Sequence, residues 1–304
     1  MRIVVLQKWG LGNQLFQYAA GLFFAKKYGG TLEVIREPER YAISNGHPRP
    51  FLLSHFSISA PVRERNQWDR LMCSVSRRKR PLVVAARFAS RTEVWSQPLR
   101  ESWTSLPALP IRPSTRNVYL EGRFQAFHFA QDIEPAIRTE FSFRNSANGK
   151  NLEVMKQIQA AENPVSLHVR RGDYALRTDG QCVLSPHYYA RAMQTIRQRV
   201  ANPTFFVFSD EIAFAQENLP SGYQIQFMDH NDEGNPHEDL RLMSACHHHI
   251  IANSTLSWWG AWLNPSADKL VCAPTDWQNG APNLSYPDII PPGWLRIATD
   301  ASSA

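Results

Sequence analysis

The stretch that decides the fold is residues 3–28, IVVLQKWGLGNQLFQYAAGLFFAKKY. Its first part, Ile3–Gln7, is an apolar run that predicts a buried strand, and a glycine-containing turn from Lys8 to Asn13 follows directly. From Gln14 to Tyr28, apolar residues recur at helical spacing. A strand, a glycine-containing loop and a helix in that order predict the opening of an α/β domain.

The second half of the chain repeats this plan more regularly. Predicted helices alternate with strands, and two of them begin with the pairs Ser185-Pro186 and Asn235-Pro236, a cap residue followed by proline. The alternation implies a parallel sheet. We therefore predict an α/β fold of two facing Rossmann-like domains with a cleft between them, where a ligand binds beyond the strand ends. The predicted strands of this half are Val165–Val169, Thr204–Phe208, Gln224–Met228, His249–Ala252 and Lys269–Ala273.

The segment Ser142–Lys150, rich in serine, asparagine and glycine, is the predicted linker between the two domains. It divides the chain into residues 1–145 and residues 146–304. Within the first domain, Val118–Glu121 is a predicted strand and Ala130–Glu140 a predicted helix.

Composition predicts a globular chain. The protein has 304 residues, of which 43% are hydrophobic and 20% charged, and no biased tract suggests disorder or a coiled-coil rod. With 33 basic and 27 acidic residues, its net charge is +6. This charge favours anionic partners such as nucleotides, phospholipid headgroups or nucleic acid, without choosing among them.

Several classes of protein are excluded by the apolar runs and the cysteines. Apolar runs such as Leu82–Ala86 are far shorter than the roughly 20 residues that span a bilayer. Ile3–Leu6 is too short for the core of a signal peptide, so export by that route is not expected. The cysteines lie far apart, which favours reduced thiols and a cytoplasmic location. They are Cys73, Cys182, Cys246 and Cys272.

The densest polar cluster is residues 168–174, HVRRGDY, at the end of the predicted strand Val165–Val169. Open α/β sheets bind ligands at that end of their strands. Gly172 permits a turn, so one guanidinium can reach a phosphate while its neighbour braces the loop through an acidic group. Arginine suits a diphosphate because its planar fork donates two parallel hydrogen bonds and stays protonated. The alternative is a solvated basic turn with a surface Arg–Asp pair.

A second candidate is the loop Trp9–Gln14, whose two glycines expose backbone N–H groups to an anion or a sugar. It is not the dinucleotide fingerprint G-x-G-x-x-G, because position 15 is leucine. Asn13 can either cap the following helix or hydrogen-bond a ligand hydroxyl. The alternative is an ordinary tight turn.

A third candidate lies in the stretch Ala252–Leu263, which joins a short strand to a tryptophan-rich helix. The hydroxyls of Ser254, Thr255 and Ser257 lie at the predicted helix start, where free N–H groups and partial positive charge favour a phosphate. The alternative is simple capping of the helix above a buried aromatic core. The tryptophans are predicted to pack in the core rather than to bind a ligand.

Two further clusters were weighed for acidic and metal chemistry. Phe208–Glu211 ends a predicted strand, so its carboxylates either line the same crevice or cap the next helix. His247–His249 does not predict a metal site, because consecutive residues cannot converge on one ion and no HExxH or cysteine spacing accompanies them. The chain also lacks an Asp-x-Asp pair. We predict no metal and no cofactor, with the charge of a diphosphate met by arginine and backbone.

Taken together, the motifs resemble those of the bacterial α-1,2-fucosyltransferase family. They occur in the expected order as WGLGNQLFQYA (9–19), HVRRGDY (168–174), FSDE (208–211) and LMSACHHHIIANSTLSWWGAWLNP (242–265). The resemblance implies an inverting glycosyltransferase of the GT-B type. Such an enzyme moves L-fucose from GDP-fucose to a hydroxyl of a β-galactoside acceptor in O-antigen or capsule biosynthesis.

The resemblance also implies roles for residues at matching positions. Arg170 contacts the diphosphate of the donor, Arg171 supports the loop, and the Gly-x-Gly-Asn loop of the first, acceptor-side domain faces the fucose and phosphates. Trp9 departs from the pattern, because the first motif usually begins with paired glycines. The implied catalytic residues are Arg170, Asp173 and Asn13, and the implied donor-binding residues are Gly10, Gly12, His168, Arg171, Asp210, Asn253, Ser254, Thr255 and Ser257.

Transfer with inversion requires the acceptor hydroxyl to lose a proton as it attacks. Asp173, the carboxylate nearest to the arginines in sequence, is the first candidate base, and Asp179 is the second. Asp173 could instead orient an arginine or a sugar hydroxyl. A very dissociative transition state would need neither residue.

The remaining expectations concern partners. The basic segment Val62–Arg91, which contains the run RRKR (77–80), either docks on acidic lipid at the inner face of the membrane or is a solvated helix face. Acceptor choice is expected to depend on residues 36–60 and 92–116. Nucleic-acid binding is not predicted, because no recognition motif accompanies the charge. A non-catalytic nucleotide- or glycan-binding protein and a fucosyltransferase of another linkage remain as alternatives.

Overall fold

The chain forms two compact units. The computed structural model of the protein describes residues 1–38, 43–44, 47–73, 81–96, 111–172, 183–232, 234–277 and 288–299. The first unit holds the described residues of 1–144 together with 288–289, and the second holds those of 145–277 together with 290–299. Residues 288–289 thus belong to the first unit, although the sequence predicted a single division of the chain at residue 145. They are held there by the backbone N–H of Phe127, which donates to the carbonyl of Asp288 at 2.8 Å.

The first unit contains a parallel sheet. Its described strands are β1 (Arg2–Gln7), β2 (Thr31–Arg36), β3 (Ile43–Ser44), β4 (His47–Pro48), β5 (Val62–Glu64), β6 (Thr92–Ser96) and β7 (Asn117–Glu121). Its described helices are α1 (Leu11–Lys27), α2 (Gln67–Met72), α3 (Pro81–Ala89), α4 (His128–Gln131) and α5 (Glu134–Glu140). The sheet order is β5-β2-β1-β7-β6, with all neighbours parallel, and β3 and β4 form a separate antiparallel pair.

The opening strand and helix pack closely, as the apolar pattern predicts. Residues 3–6 of β1 are at most 2% exposed because both faces of the central strand are covered. A Cβ atom at Gly21 of α1 would overlap the side chains of Val5 and Leu32. Glycine at this position therefore lets α1 approach the sheet.

The second unit contains a longer parallel sheet. Its described strands are β8 (Asn163–Val169), β9 (Pro203–Ser209), β10 (Gln224–Met228), β11 (His248–Ile250), β12 (Val271–Pro274) and β13 (Leu295–Ile297). Its described helices are α6 (Gly149–Ala160), α7 (Pro186–Arg197), α8 (Ile212–Asn218), α9 (Pro236–Ala245) and α10 (Thr255–Leu263). The sheet order is β10-β9-β8-β11-β12-β13, with all neighbours parallel.

Both faces of the second sheet are buried, which explains the near-continuous apolar character of its strands. On one face, the odd-numbered residues Val165 to Val169 pack with Tyr188 and Tyr189 of α7. On the other face, Phe206 and Phe208 pack with residues of α6 and α9. The Tyr188 hydroxyl donates to the carbonyl of Ile251 at 2.6 Å, so its burial leaves no polar group unsatisfied.

Several predicted boundaries were wrong. The helix predicted over Ala130–Glu140 is the two short helices α4 and α5, with proline in the first turn of the second. Helix α6 begins at Gly149, inside the predicted linker, and α1 begins at Leu11, inside the predicted turn. Strands β2, β5, β6 and β13 were not predicted, because short or partly charged strands carry little periodicity.

The tryptophan-rich helix α10 is part of the core, as predicted. Trp258 and Trp259 are fully buried, and Trp262 is 7% exposed. Trp258 and Trp259 meet edge to face, with ring centres 4.9 Å apart. Among the described residues, no helix has the length and apolarity needed to cross a membrane. The described cysteines Cys73, Cys246 and Cys272 are buried free thiols, and Cys182 lies outside the described residues.

Candidate active site

The order of strands in the second sheet indicates where a ligand binds. From β8 the chain proceeds to β9 and β10 on one side, whereas β11, β12 and β13 lie on the other. The topological switch point therefore lies between β8 and β11, and open α/β sheets bind ligands beyond the carboxyl ends of strands at such a point. Arg170 directly follows β8, Asp210 follows β9, and Asn253 lies three residues beyond β11.

Arg170 is held by an ion pair at this edge. Its guanidinium lies 2.9 Å from Oδ2 of Asp210, and the two side chains are 22% and 10% exposed. The other oxygen of Asp210 accepts a hydrogen bond from the backbone N–H of Arg171 at 2.9 Å. Burial raises the pKa of the Asp210 carboxyl, and the charge of Arg170 opposes that shift.

Asp210 is therefore a brace of the arginine loop. Asp210 was expected to contact the donor, but its two oxygens face Arg170 and the backbone of Arg171. A Cβ atom at Gly172 would overlap the Asp210 carboxylate. Glycine at this position is thus needed for the close approach of the loop, as well as for the turn that the sequence predicted.

Arg171 is braced separately. Its Nε lies 3.0 Å from Oε2 of Glu211, and its guanidinium lies 3.7 Å from the ring centre of Phe214 in α8. Stacking on an aromatic face and pairing with a carboxylate both fix the planar group. The neighbouring arginines are thus each tied to the loop after β9.

His168 is a neutral residue of the site. It is 6% exposed, and burial together with the nearby charge of Arg170 lowers its pKa to about 3. Its imidazole thus adds no positive charge at neutral pH. Among the described residues its Nδ1 has no hydrogen-bond partner, which leaves a polar atom for a ligand or for chain beyond them.

The start of α10 supplies backbone donors to the same edge. Ser254 is the N-cap residue of this nine-residue helix, its side chain makes no capping hydrogen bond, and the first turn holds no acidic residue. The early N–H groups therefore retain their preference for an anion. Ser254 and Asn253 are buried, and Thr255 is partly exposed. The Ser257 hydroxyl points inward and donates to the carbonyl of Ser254 at 3.2 Å, so its proton stabilises the helix.

Asp173 and Asp179, the two candidate bases, lie outside the described residues. Their assignment therefore stays a prediction.

The first sheet has its own switch point, between β1 and β7. The loops that leave these strands carry Trp9 and Arg123, whose guanidinium carbon lies 5.6 Å from the centre of the indole. Lys8 and Glu121 form an ion pair of 2.6 Å beside them. The side-chain oxygen of Asn13 accepts a hydrogen bond from Gln125 at 2.7 Å.

This geometry corrects two expectations for the glycine loop. Gly12 is buried in the first turn of α1 rather than in a loop, and Asn13 does not cap the helix. Gly10 is the N-cap residue, and a Cβ atom there would meet no atom of the described residues within 4 Å. The described part of the chain thus leaves space beside Gly10. Trp9 has a φ of 66°, in the left-handed region that costs a non-glycine residue about 1–2 kcal/mol.

Two buried glutamines that the sequence analysis missed hold this loop. Gln14 donates to the carbonyls of Trp9 and Pro50 at 2.9 and 2.8 Å, and it accepts from the N–H of Leu52 at 3.0 Å. Gln17 accepts from the N–H of Lys8 at 3.0 Å, and its amide nitrogen donates to the loop after β7 at 2.7 Å. The sequence signal that could have found Gln14 and Gln17 is their place on the apolar side of a helix. A buried amide there requires hydrogen-bond partners.

A third missed cluster follows β10. Asn231 donates to Asp239 of α9 at 2.8 Å, and Asn151 of α6 donates to Asn231 at 3.0 Å. Burial raises the pKa of the Asp239 carboxyl to about 6. These side chains tie two helices to the same carboxyl edge that carries Arg170.

The three consecutive histidines have separate partners, as their spacing predicts. His247 lies 3.0 Å from Asp268, His248 accepts from the N–H of Leu270, and His249 shares a 2.8 Å hydrogen bond with Ser166. Within the described parts of the chain, no group of three or more histidine, cysteine or acidic side chains could hold a metal ion.

Two α/β units, each with a parallel sheet, are the architecture of glycosyltransferases of the GT-B class. A solved structure of a mutant of Arabidopsis thaliana FUT1 in complex with GDP has the same fold, with a TM-score of 0.55 at 9% identity, over 95% of this chain and 74% of that one. The family model for glycosyl transferase family 11 matches residues 100–298. The chain belongs to glycosyltransferase family 11, as its resemblance to the bacterial α-1,2-fucosyltransferases predicted.

The names of the relatives include two different transferred sugars. An O-antigen biosynthesis glycosyltransferase WbnK of Escherichia coli is 29% identical, over 89% of this chain and 93% of that protein. An alpha-1,2-colitosyltransferase of the same organism is 29% identical over 98% and 99%. Galactoside alpha-(1,2)-fucosyltransferase 2 of Mus musculus is 24% identical over 83% and 65%.

The contact between Gly172 and Asp210 predicts a stability difference between two glycine substitutions. Gly172→Ala is expected to lower the free energy of unfolding by about 1–3 kcal/mol, because the added methyl group must displace a buried carboxylate from its ion pair. Gly10→Ala serves as the matched control, since its Cβ atom meets open space at an ordinary φ of −72°. Urea unfolding followed by circular dichroism measures both. Equal losses in the two variants would contradict the assignment of Asp210 as the brace.

Proposed function

We propose that this glycosyltransferase moves L-fucose from GDP-fucose to the 2-hydroxyl of a β-galactoside, with inversion, in the synthesis of a surface glycan such as O-antigen or capsule. The observation that carries the proposal is Arg170, held by Asp210 at the switch point of the second sheet. The second unit is then the donor-binding unit and the first the acceptor-side unit.

In the proposed reaction, the acceptor oxygen attacks the anomeric carbon on the face opposite the nucleotide. The bond from this carbon to the diphosphate oxygen breaks, and GDP leaves with the bonding electrons. Negative charge therefore grows on the diphosphate in the transition state. Arg170 and the N–H groups at the start of α10 are placed to stabilise that charge, a contribution on the order of several kcal/mol.

The acceptor proton needs a destination. Asp173 is proposed as the general base and Asp179 as the second choice, and the proton passes to a carboxylate oxygen as the new bond forms. His168 is a poor candidate, because its pKa of about 3 makes it a weak base in its buried position. No metal is assigned to the reaction, since cationic and backbone donors are proposed to meet the diphosphate.

The names of two of these relatives agree on a 1,2-linkage but differ in the transferred sugar. One is named for transfer of colitose and the other for transfer of fucose. The identity to the colitosyltransferase is 29%, against 24% for the mouse fucosyltransferase. Colitose is therefore the second candidate for the transferred sugar.

We also place the enzyme in the cytoplasm, at the inner face of the membrane. Helix α3 presents Val84 and Phe88, which are one helical turn apart and are 52% and 75% exposed. The basic run RRKR (77–80), which lies outside the described residues, directly precedes this helix in the sequence. An exposed apolar face that continues a cationic run suits a surface of acidic lipid.

A donor panel tests the proposed reaction. Purified enzyme in excess EDTA is incubated with lactose and with either GDP-fucose or nucleotide-activated colitose, and the product linkage is determined. We expect a fucosyl product joined at the 2-position of galactose, at a rate that EDTA does not change. Transfer of colitose alone would contradict fucose as the transferred sugar. A product with another linkage would contradict the 2-position of galactose. Nucleotide binding without turnover would contradict the enzyme and support a binding protein.

Arg170→Ala tests the site within that reaction. Loss of the guanidinium is expected to lower the transfer rate on the order of 10²–10³-fold, because the leaving group loses its charged partner. Arg197→Ala, which removes an arginine stacked on Tyr223, is the control and is expected to retain activity. If Arg170→Ala unfolds because the buried carboxylate of Asp210 is left without its cation, the double variant with Asp210→Asn removes that unpaired charge and is measured instead. Near-normal turnover in a folded variant would remove Arg170 from the site.

Phe88→Ser tests the membrane contact. Wild type is expected to co-sediment with vesicles of acidic phospholipid at low salt and to dissociate at high salt, because charge screening weakens the attraction. The variant is expected to bind less, since it lacks the apolar contact. Leu152→Ser is the control, because Leu152 is 42% exposed in the second unit. Equal binding by both variants, or equal binding to neutral vesicles, would contradict the contact.

A further inference from the structure

Trp9 adopts a backbone conformation that its side chain disfavours. Its φ of 66° lies in the left-handed region, where a bulky residue is an outlier and glycine is not. Phe124, in the loop after β7, also has a positive φ of 51°, but its ring is 2% exposed and packs on Phe129. Core packing accounts for Phe124. It does not account for Trp9, whose side chain is only half-buried.

The backbone around Trp9 does not require tryptophan. Its carbonyl is held by Gln14, a buried side chain whose three hydrogen bonds all go to backbone atoms of Trp9, Pro50 and Leu52. A glycine at position 9 would accept the same hydrogen bond. Within the described chain, the indole makes no ring-to-ring contact, and the guanidinium carbon of Arg123 lies 5.6 Å from its centre. The hydrogen bonds of the backbone and the ring contacts of the described residues thus give no account of why tryptophan stands here.

The position of the indole indicates a reason. Trp9 and Arg123 follow the two strands that flank the switch point of the first sheet, where an α/β sheet binds its ligand. Beside them, no atom of the described residues lies within 4 Å of the Cβ position of Gly10. A half-exposed aromatic ring next to open space at a switch point has the form of a binding surface.

The surface beside Trp9 combines an aromatic ring and an amide with a compensated ion pair. Lys8 is paired with Glu121 at 2.6 Å, and the positively charged guanidinium of Arg123 lies 5.6 Å from the centre of the indole. Asn13 gives its oxygen to Gln125, which leaves its amide N–H groups to donate to a hydroxyl. An aromatic ring beside an amide donor suits a sugar, which offers a C–H face for the ring and hydroxyl groups for the amide.

We infer that the Trp9 indole is the stacking platform for the acceptor sugar and a specificity-determining residue of this chain. The inference rests on the proposed function. The C–H face of a β-galactoside would lie against the indole, with Asn13 donating to one of its hydroxyls. The side chain at position 9 thereby helps to select the acceptor. The backbone at this position has the positive φ that glycine adopts without strain.

Trp9→Gly tests the inference, because it removes the ring and relieves the backbone. The KM for lactose is expected to rise about tenfold, the scale of one lost aromatic anchor. The KM for GDP-fucose and the rate of GDP release without acceptor are expected to stay unchanged, and the melting temperature is expected to be equal or higher. Trp9→Phe is expected to recover part of the affinity for lactose. Trp68→Ala is the control, because Trp68 is 45% exposed on α2.

Three results would overturn the inference. An unchanged KM for lactose in an active Trp9→Gly enzyme would make the indole irrelevant to the acceptor. A raised KM for GDP-fucose would assign the ring to the donor. A lower melting temperature, with no recovery by Trp9→Phe, would make its role structural.

Saturation-transfer NMR with lactose separates this inference from the proposed reaction. Wild type that transfers no sugar but saturates lactose, with loss of the signal in Trp9→Gly, would reject the reaction and keep the platform. Wild type that neither transfers sugar nor saturates lactose rejects both.

Discussion

The candidate site depends on one interaction, the ion pair of Arg170 with Asp210 across the ends of β8 and β9. Both partners follow neighbouring parallel strands, so the sheet itself sets their separation. Asp210 also fixes the backbone at Arg171 and fills the space that Gly172 leaves. Burial raises the pKa of this carboxyl, and the positive charge of Arg170 opposes that shift. Each partially buried charge therefore stabilises the ionised form of the other. A guanidinium fixed in this way would lose little side-chain freedom on binding an anion.

Both sheets have a topological switch point, but different side chains lie at each one. At the switch point of the second sheet, charged groups dominate, and the start of α10 adds backbone donors without a capping side chain. The buried imidazole of His168 stays neutral there, so it does not compete with Arg170 for an anion. At the switch point of the first sheet, Lys8 is compensated by Glu121, and the groups beside this pair are the indole of Trp9, the guanidinium of Arg123 and the amide of Asn13. This difference in charge is what supports the proposed division between an anionic donor and a neutral acceptor.

The sequence predicted the elements whose burial is regular and missed those that depend on distant partners. Ile3–Gln7 is a continuous apolar run and Gln224–Met228 alternates polar with apolar residues, and the structure places strands at both. Val62–Glu64 and Leu295–Ile297 become strands only because neighbouring strands offer hydrogen bonds, which periodicity cannot report. In the site, position after a strand located Arg170, but the role of Asp210 depended on a contact across 40 residues of chain. Gln14 and Gln17 were missed for the same reason, since their partners lie in other loops.

The glutamines also explain how the first loop tolerates tryptophan. Gln14 bonds to carbonyl and amide groups of the backbone, so the path of the chain at position 9 is set without reference to the side chain there. A loop fixed in this way can change its exposed side chain while its geometry stays constant, at the expense of some left-handed strain. The Arg170 loop is built the opposite way, because the carboxylate that fixes it is also the partner of the functional side chain. Substitution can therefore alter the surface at Trp9 without disturbing the fold, whereas the arginine site allows no such separation.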